Sequence, residues 1–194
     1  MFYDDRRMAG LLVFVGVAQF LVFLVVAEAA DPTYSVGGNF ISDLGNANLF
    51  PAAAPIFNTS IVVLGILVLP GAYYANRTFH NWFFTISLLM TAFGAIGVGV
   101  FNETFGAIHS VVSLITFVGT GLAAISAFRL TKPPLAYIGV VMGILSFAAL
   151  GLFVARATLG IGVGGMERMI ILPAIGWALA FGGSLMAPAA TATA

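Results

Sequence analysis

The chain has 194 residues, of which 61% are hydrophobic and only 7% are charged. Soluble domains carry about 25% charged residues, so this chain has too few to cover a surface in water, and the predicted environment is a lipid bilayer. The formal net charge is zero and no basic run occurs, which argues against a nucleic-acid partner. The absence of cysteine excludes disulfides, thiol catalysis and thiolate metal ligands.

Hydropathy predicts an all-α, polytopic membrane protein, with one bundle of six transmembrane helices that occupies residues 1–194 as a single domain. The first span, about 8–29, is longer than the 7–15 residues of a signal-peptide core, so we expect it to be a membrane helix. The other predicted spans are about 53–75, 82–101, 106–128, 134–155 and 168–187.

Turn-forming residues mark the breaks between the predicted spans. They occur at Asp31-Pro32 and Gly37-Gly38, Asn76-Arg77-Thr78, Asn102-Glu103, Lys132-Pro133-Pro134, and Gly160 to Gly165. The small and polar residues from Pro188 to Ala194 predict a disordered tail.

The distribution of positive charge predicts the orientation. In a six-span arrangement, five of the seven basic residues fall on the side of the chain termini: Arg6, Arg7, Arg77, Arg129 and Lys132. Cytoplasmic loops are enriched in Lys and Arg, so both termini are predicted to be cytoplasmic in a multi-pass protein of the cell membrane. The opposite, outer side receives Arg156 and Arg168 and five acids: Glu28, Asp31, Asp43, Glu103 and Glu167.

Small residues recur at helical spacing in the last two spans, in Gly139, Gly143 and Ser146, and again in Gly176, Ala180 and Gly183. Such stripes allow close helix packing in lipid. Packing inside one bundle is the simpler interpretation, and a homo-oligomer interface is the alternative.

No Asp, Glu, Lys or Arg lies in the middle of a predicted span. Charge at that depth is costly and usually functional, so its absence argues against a proton-coupled pump or a voltage sensor. The candidate chemistry therefore lies at the outer ends, where most of the acids gather.

The short third loop predicts that Glu103 and His109 lie close together, with His109 in the first turn of the fourth helix. Ser113, Thr116 and Thr120 follow His109 on the same helical face. Such a polar stripe should face the bundle interior or a wet cavity. Alternatively, the three hydroxyls bond only to backbone carbonyls of their own helix.

Further polar residues are predicted to converge on the same mouth. Asn58 is near the outer end of the second helix, and Glu167 and Arg168 are predicted to open the sixth. The long loop of about 30–50 contains Asp43 and enough apolar residues to fold over the bundle: Tyr34, Phe40, Ile41 and Phe50. In the alternative interpretation, Glu167 caps a helix, Arg168 reaches lipid headgroups and Asp43 stabilises a turn.

No motif predicts a cofactor or a metal. His80 and His109 are predicted at opposite ends of the bundle, which does not suit haem ligation between helices. No His-x-x-x-His or His-Glu-x-x-His spacing for zinc occurs.

Four short motifs carry a resemblance: Ser42-Asp43-Leu44-Gly45, Phe57-Asn58, Phe101-Asn102-Glu103 before Ile108-His109, and Gly165-Met166-Glu167-Arg168. Together they are similar to an uncharacterised prokaryotic family of six-span membrane proteins, domain of unknown function 998, over nearly the whole chain. Asn102 stands where that family usually has proline. The resemblance implies the fold and the site position, and it implies no activity.

Three functions compete. The first is binding or processing of a lipid or lipid-linked substrate at the outer leaflet. In it, His109 is the general acid or base tuned by Glu103 or Asp43, Arg168 holds a phosphate or carboxylate headgroup, and Asn58 donates a hydrogen bond to the substrate. Glu167 and Ser113 are further candidates for ligand binding. The second is a channel or transporter for a small solute or ion. The third is a structural subunit whose outer charges only connect helix ends.

Overall fold

A computed structural model describes residues 4–188, and every helix long enough to cross a membrane lies within one bundle. The six helices are α1 (Asp5–Ala30), α2 (Ala54–Phe79), α3 (Trp82–Val100), α4 (Ala107–Ser126), α5 (Leu135–Val154) and α6 (Gly162–Met186). All six are long and apolar enough to span a bilayer, and no strand occurs among residues 4–188. The predicted class, an all-α membrane protein with six spans, is confirmed.

Consecutive helices pack side by side, and α6 closes the bundle against α1. The contact of α4 with α5 is smaller than the contacts between the other consecutive helices, and the contact of α4 with α6 is smaller still. Both described chain ends lie at one end of the bundle, because the Arg6 guanidinium donates to the carbonyls of Ser184 (2.8 Å) and Ala187 (3.1 Å). We call this the termini end. The opposite loop end carries three connections, residues 31–53, 101–106 and 155–161.

The core combines large aromatic side chains with small residues at the closest helix contacts. Phe84 and Phe181 are fully buried and meet edge to face at 5.3 Å. Gly94 of α3 lies against α4, where an added Cβ would come within 2.8 Å of the Thr116 amide nitrogen. This glycine therefore sets the distance between α3 and α4.

The two predicted small-residue stripes have different surroundings. A Cβ on Gly139 would meet the Trp177 ring at 2.7 Å, and one on Gly143 would meet Ile125 at 2.5 Å, so the α5 stripe packs within the chain. A Cβ on Gly176 or Gly183 of α6 would meet nothing within 4 Å.

The helix boundaries differ from the predicted ones at two places. The helix α2 continues through Asn76 to Phe79, so that predicted loop is helical, and the turn to α3 is made by His80 in a left-handed conformation (φ 51°). The helix α6 begins at Gly162, six residues before the predicted start at 168. The predicted tail from 189 onward lies outside the described residues.

The early start of α6 has a steric cause. Gly162 has a positive φ of 78°, which glycine adopts without strain. An added Cβ on Gly164 would come within 2.5 Å of the Val36 carbonyl oxygen, and the Gly164 amide donates to the Gly37 carbonyl at 3.0 Å. The glycines thus let the backbone of the first loop lie directly on the first turns of α6.

Candidate functional site

The first loop, residues 31–53, covers the loop end of the bundle. It begins with Asp31, which accepts hydrogen bonds from the amide (3.0 Å) and hydroxyl (2.7 Å) of Thr33, and these bonds lower the pKa of Asp31. Tyr34 meets Phe50 edge to face at 5.2 Å. The apolar side chains Ile41, Leu44 and Phe50 of the first loop are buried, so the loop is packed as part of the core.

Asp43 and Asn58 hold the 3₁₀ turn at Ser42–Gly45. The buried Asp43 carboxylate accepts from the Phe40 amide at 2.9 Å and from the Asn39 side chain at 3.2 Å. Asn58 of α2 donates from its side-chain amide to the Gly45 carbonyl at 2.9 Å. The predicted ligand contact of Asn58 is therefore replaced by a bond to the loop.

Arg168 belongs to a network that faces away from His109. Its guanidinium donates to Glu28 (2.5 Å), the Tyr34 hydroxyl (2.7 Å) and the carbonyls of Val36 (2.8 Å) and Gly164 (3.0 Å). Burial is the main cause that raises the pKa of Tyr34 to about 12, and its hydroxyl in turn donates to the Phe40 carbonyl at 3.1 Å. We name these groups the Arg168 network.

Arg168, which was predicted to contact a headgroup, lies apart from the space next to His109. Its donors are directed to groups of the protein, and its side chain does not line the space next to His109. The cause is helical geometry, because consecutive residues of a helix point about 100° apart. Glu167 and Arg168 therefore reach different sides of α6.

Glu167 reaches the space next to His109. It is buried about one and a half turns inside α6, counting 3.6 residues per turn, and so does not cap the helix. Its carboxylate accepts a hydrogen bond from the Ile41 amide. Glu167 thus connects α6 to the first loop and also forms part of a cavity wall.

Glu103 and Asp43 form a pair of neighbouring carboxyl groups between the third and first loops. Burial first, and then a hydrogen bond and repulsion from the Asp43 carboxyl, raise the pKa of Glu103 to about 7. Its Oε2 atom is buried with no hydrogen-bond partner in the described structure. The neighbouring Asp43 carboxyl thus disfavours ionisation of Glu103, since two adjacent carboxylates repel.

His109 and Ser113 form a hydrogen-bonded pair on α4. The buried imidazole places Nδ1 at 2.8 Å from the Phe101 carbonyl oxygen and Nε2 at 3.2 Å from the Ser113 hydroxyl. Both ring nitrogens of His109 thus have a hydrogen-bond partner, and neither of these two partners is a carboxyl group. The expected tuning of His109 by Glu103 or Asp43 is replaced by a backbone carbonyl.

Residues from the two loops and three helices enclose a cleft of about 540 Å³. We call it the lateral cleft, because it opens at the loop end between α4 and α5. Its polar lining comes from Ser42, Glu103, His109, Ser110, Ser113 and Glu167. Its apolar lining comes from Phe40, Leu114, Phe117, Leu150, Phe153 and Val154.

A second, narrower cavity of about 80 Å³ lies deeper in the bundle. It shares Ser42, Ser113, Phe117 and Glu167 with the lateral cleft and extends to Trp177. Thr116 and Thr120 also line it, but their hydroxyls donate to the carbonyls of Val112 (2.8 Å) and Thr116 (2.7 Å). Thr116 and Thr120, the part of the predicted polar stripe farther from the loop end, thus bond to their own helix.

The predicted cluster is therefore divided into two parts. The structure brings Glu103, His109, Ser113 and Glu167 to the lateral cleft, with Asp43 behind Glu103. Asn58 and Arg168 instead fix the first loop.

Sequence reasoning missed the partners Glu28, Tyr34 and the Phe101 carbonyl. In the sequence, the one signal that pointed to these partners was the charge of Glu28 at the end of an apolar span. Within residues 4–188, no group of three or more His, Asp or Glu side chains is arranged to hold a metal ion.

The fold and its apolar helices define a multi-pass integral membrane protein. Residues 14–184 match the family described as "Protein of unknown function (DUF998)", and the chain belongs to this family. Neither a curated protein nor a solved structure matches the chain.

Proposed function

We propose that this protein binds a membrane lipid or lipid-linked molecule in the lateral cleft, at the outer leaflet of the cell membrane. The observation that carries the proposal is the composition of the cleft wall. Its polar side chains come from the two loops, α4 and α6, and its apolar side chains come from the first loop, α4 and α5. An amphiphile contains a polar part and an apolar part, and this wall offers contacts to both.

The direction of the opening supports entry from the bilayer. Leu114 on α4 and Val154 on α5 line the cleft and are 49% and 73% exposed. In a six-span protein, exposed apolar side chains on the helices face lipid tails. A hydrocarbon chain can therefore enter between α4 and α5 without passing through water.

The polar wall favours a headgroup without a phosphate. Glu103 and Glu167 are the charged groups that line the cleft, and within the described chain no Lys or Arg lines it. Arg and Lys are the side chains that bind a phosphate most strongly, and the start of α4 at Gly106 shares the cleft with these two carboxyl groups. Arg168, which was expected to supply this contact, is directed to Glu28 instead.

A structural role is the second candidate, and the Arg168 network favours it. This network joins α1, the first loop and α6 through bonds between residues that are 132 to 140 positions apart. In this interpretation the loop end serves to hold the bundle together. This interpretation predicts that a bulky side chain inserted into the cleft changes the stability of the protein and has no effect on a bound amphiphile.

The test is native mass spectrometry of the purified protein, with two matched tryptophan variants on α4. Leu114→Trp fills the cleft, and Val111→Trp places the same side chain at a position that is 57% exposed and outside the cleft. We expect a co-purified amphiphile in the wild type and in Val111→Trp, and its loss in Leu114→Trp. Equal retention in both variants, or no bound amphiphile in the wild type, would contradict the proposal.

A further inference from the structure

Ser113 differs from the other hydroxyl residues on the inner face of α4. Thr116 and Thr120 donate to the carbonyls four residues earlier, as hydroxyls in apolar helices commonly do. The Ser113 hydroxyl instead meets the Nε2 atom of His109 at 3.2 Å. This arrangement places a hydroxyl and an imidazole in contact within a cavity that opens toward lipid.

The surroundings of His109 determine the direction of this hydrogen bond. A carbonyl oxygen is only an acceptor, so Nδ1, at 2.8 Å from the Phe101 carbonyl, carries the ring proton. In the neutral imidazole, Nε2 is then an acceptor, and the Ser113 hydroxyl donates to it. The hydroxyl proton therefore already points at a base.

We infer that Ser113 and His109 are the nucleophile and general base of an ester-cleaving site for membrane amphiphiles. This inference rests on the proposed binding function of the lateral cleft and names its substrate class, a carboxylic ester with at least one hydrocarbon chain. A hydroxyl bonded to a base that a third group orients is the arrangement that nucleophilic catalysis by serine requires. Here the Phe101 carbonyl is the orienting group.

The reaction has two balanced steps. In the first, the Ser113 oxygen attacks the ester carbonyl carbon while His109 Nε2 takes the hydroxyl proton. The carbon–oxygen bond to the alcohol then breaks, the alcohol leaves with the proton from Nε2, and an acyl ester remains on Ser113. In the second step, water attacks this acyl ester, Nε2 takes a proton from the water, and the fatty acid leaves as Ser113 regains its proton.

The cleft is suited to a neutral carbonyl centre. No basic residue of the described chain lines it, so no side chain there neutralises an anionic phosphoester. The Ser42 hydroxyl lines the same cleft and is able to donate to the oxyanion that forms. A carbonyl in place of a carboxylate behind His109 gives weaker support to the imidazolium, which suits an ester better than an amide.

Covalent labelling with an alkyl fluorophosphonate tests the inference directly. The purified full-length protein in detergent should gain the mass of one adduct, and peptide mapping should place it on Ser113. We expect Ser113→Ala to abolish labelling and His109→Gln to slow it at least about 100-fold, the usual contribution of a general base. Ser126→Ala is the matched control, because Ser126 is on the same helix but lies outside the cleft, where its hydroxyl donates to the Ala123 carbonyl at 3.1 Å.

Turnover gives a second measurement. The wild type should release 4-nitrophenol from a 4-nitrophenyl ester of an eight-carbon acid. Ser113→Ala should lose this activity while it keeps its melting temperature. That readout separates the nucleophile from a side chain that only supports the fold.

The outcomes distinguish this inference from the binding proposal. A bound amphiphile in the wild type, without an adduct on Ser113 and without ester cleavage, would overturn the ester-cleaving site and leave the binding proposal standing. An adduct that persists in Ser113→Ala would overturn the assignment of the nucleophile. The absence of both an amphiphile and an adduct would overturn both.

Discussion

Glu167 and Arg168 are neighbours in the chain, and each is buried with its own set of partners. The carboxylate of Glu167 accepts from the Ile41 amide and lines the lateral cleft. The guanidinium of Arg168 binds Glu28 and Tyr34 on another side of α6. These two adjacent charged residues thus contribute both to the candidate site and to the bonds that connect the first loop to the helices.

The Arg168 network predicts the effect of Glu28→Gln. The substitution leaves the buried guanidinium without its carboxylate, so we expect unfolding to become easier by about 2 kcal/mol, less than for a fully buried pair because both groups retain some solvent contact. Thermal unfolding in detergent measures this change. The control is Asp5→Asn, which breaks the exposed Arg77–Asp5 pair at 2.9 Å and should hardly alter the melting temperature. Equal shifts would contradict the buried role of Arg168.

The Glu103–Asp43 pair predicts a pH-dependent stability. Since the pKa of Glu103 is raised from 4.5 to about 7, the folded protein holds a proton that the unfolded chain has already released between these values. Stability should therefore fall as the pH rises from about 4.5 to about 7. In Glu103→Gln this dependence should be reduced, with a higher melting temperature than the wild type at pH 8. A wild-type melting temperature that rises over the same pH range would contradict the raised pKa of Glu103.

Two helices, α2 and α6, hold the first loop as a single element. The bonds are Glu167 to Ile41, Arg168 to Val36 and Asn58 to Gly45. The sequence predicted that this loop folds over the bundle, because its apolar residues need cover. The sequence could not predict which polar residues would bind the loop, because their partners are backbone carbonyls and amides, which are present at nearly every position of any sequence.

The contact of α3 with α4 predicts the effect of Gly94→Ala. The added methyl group would come within 2.8 Å of the Thr116 amide nitrogen, so α4 must move outward. We expect a loss of about 1–3 kcal/mol, as for other overpacked cores, together with weaker amphiphile retention, because Ser113 lies on the same helix. The loss is measured by thermal unfolding.

Gly176→Ala is the control for this prediction. Both glycines are inside membrane helices, but a Cβ at Gly176 meets nothing within 4 Å. The variant should therefore melt at the wild-type temperature. Equal destabilisation by the two substitutions would contradict the role of the α3–α4 distance, because the higher helix propensity of alanine cannot cause it.

The orientation of the whole molecule remains a prediction from the positive charges. The absence of native cysteine makes it directly testable, since an introduced cysteine is the sole thiol. In intact cells, a membrane-impermeant maleimide should label Leu159→Cys, which is 71% exposed at the loop end. Pro188→Cys, at the termini end, should be labelled only after the membrane is opened. The reverse pattern would place the lateral cleft at the inner leaflet.

The sequence by itself determined the class of protein, the number of spans and the side on which the ionisable residues gather. It could do so because a membrane helix requires about 20 consecutive apolar residues whatever its neighbours are. Similarly, the regular spacing of His109 and Ser113 on one helix fixes their common face. These properties depend on local sequence.

Only the tertiary structure decided which of those residues share a site. Arg168 and Glu28 are 140 positions apart, and their contact depends on the closure of α6 against α1. The packing of α6 also places Glu167 in the same cleft as His109, whereas the Phe101 carbonyl reaches the imidazole across the short turn between α3 and α4. Polar groups inside a bundle must find partners, and which partner each finds is set by packing between distant segments.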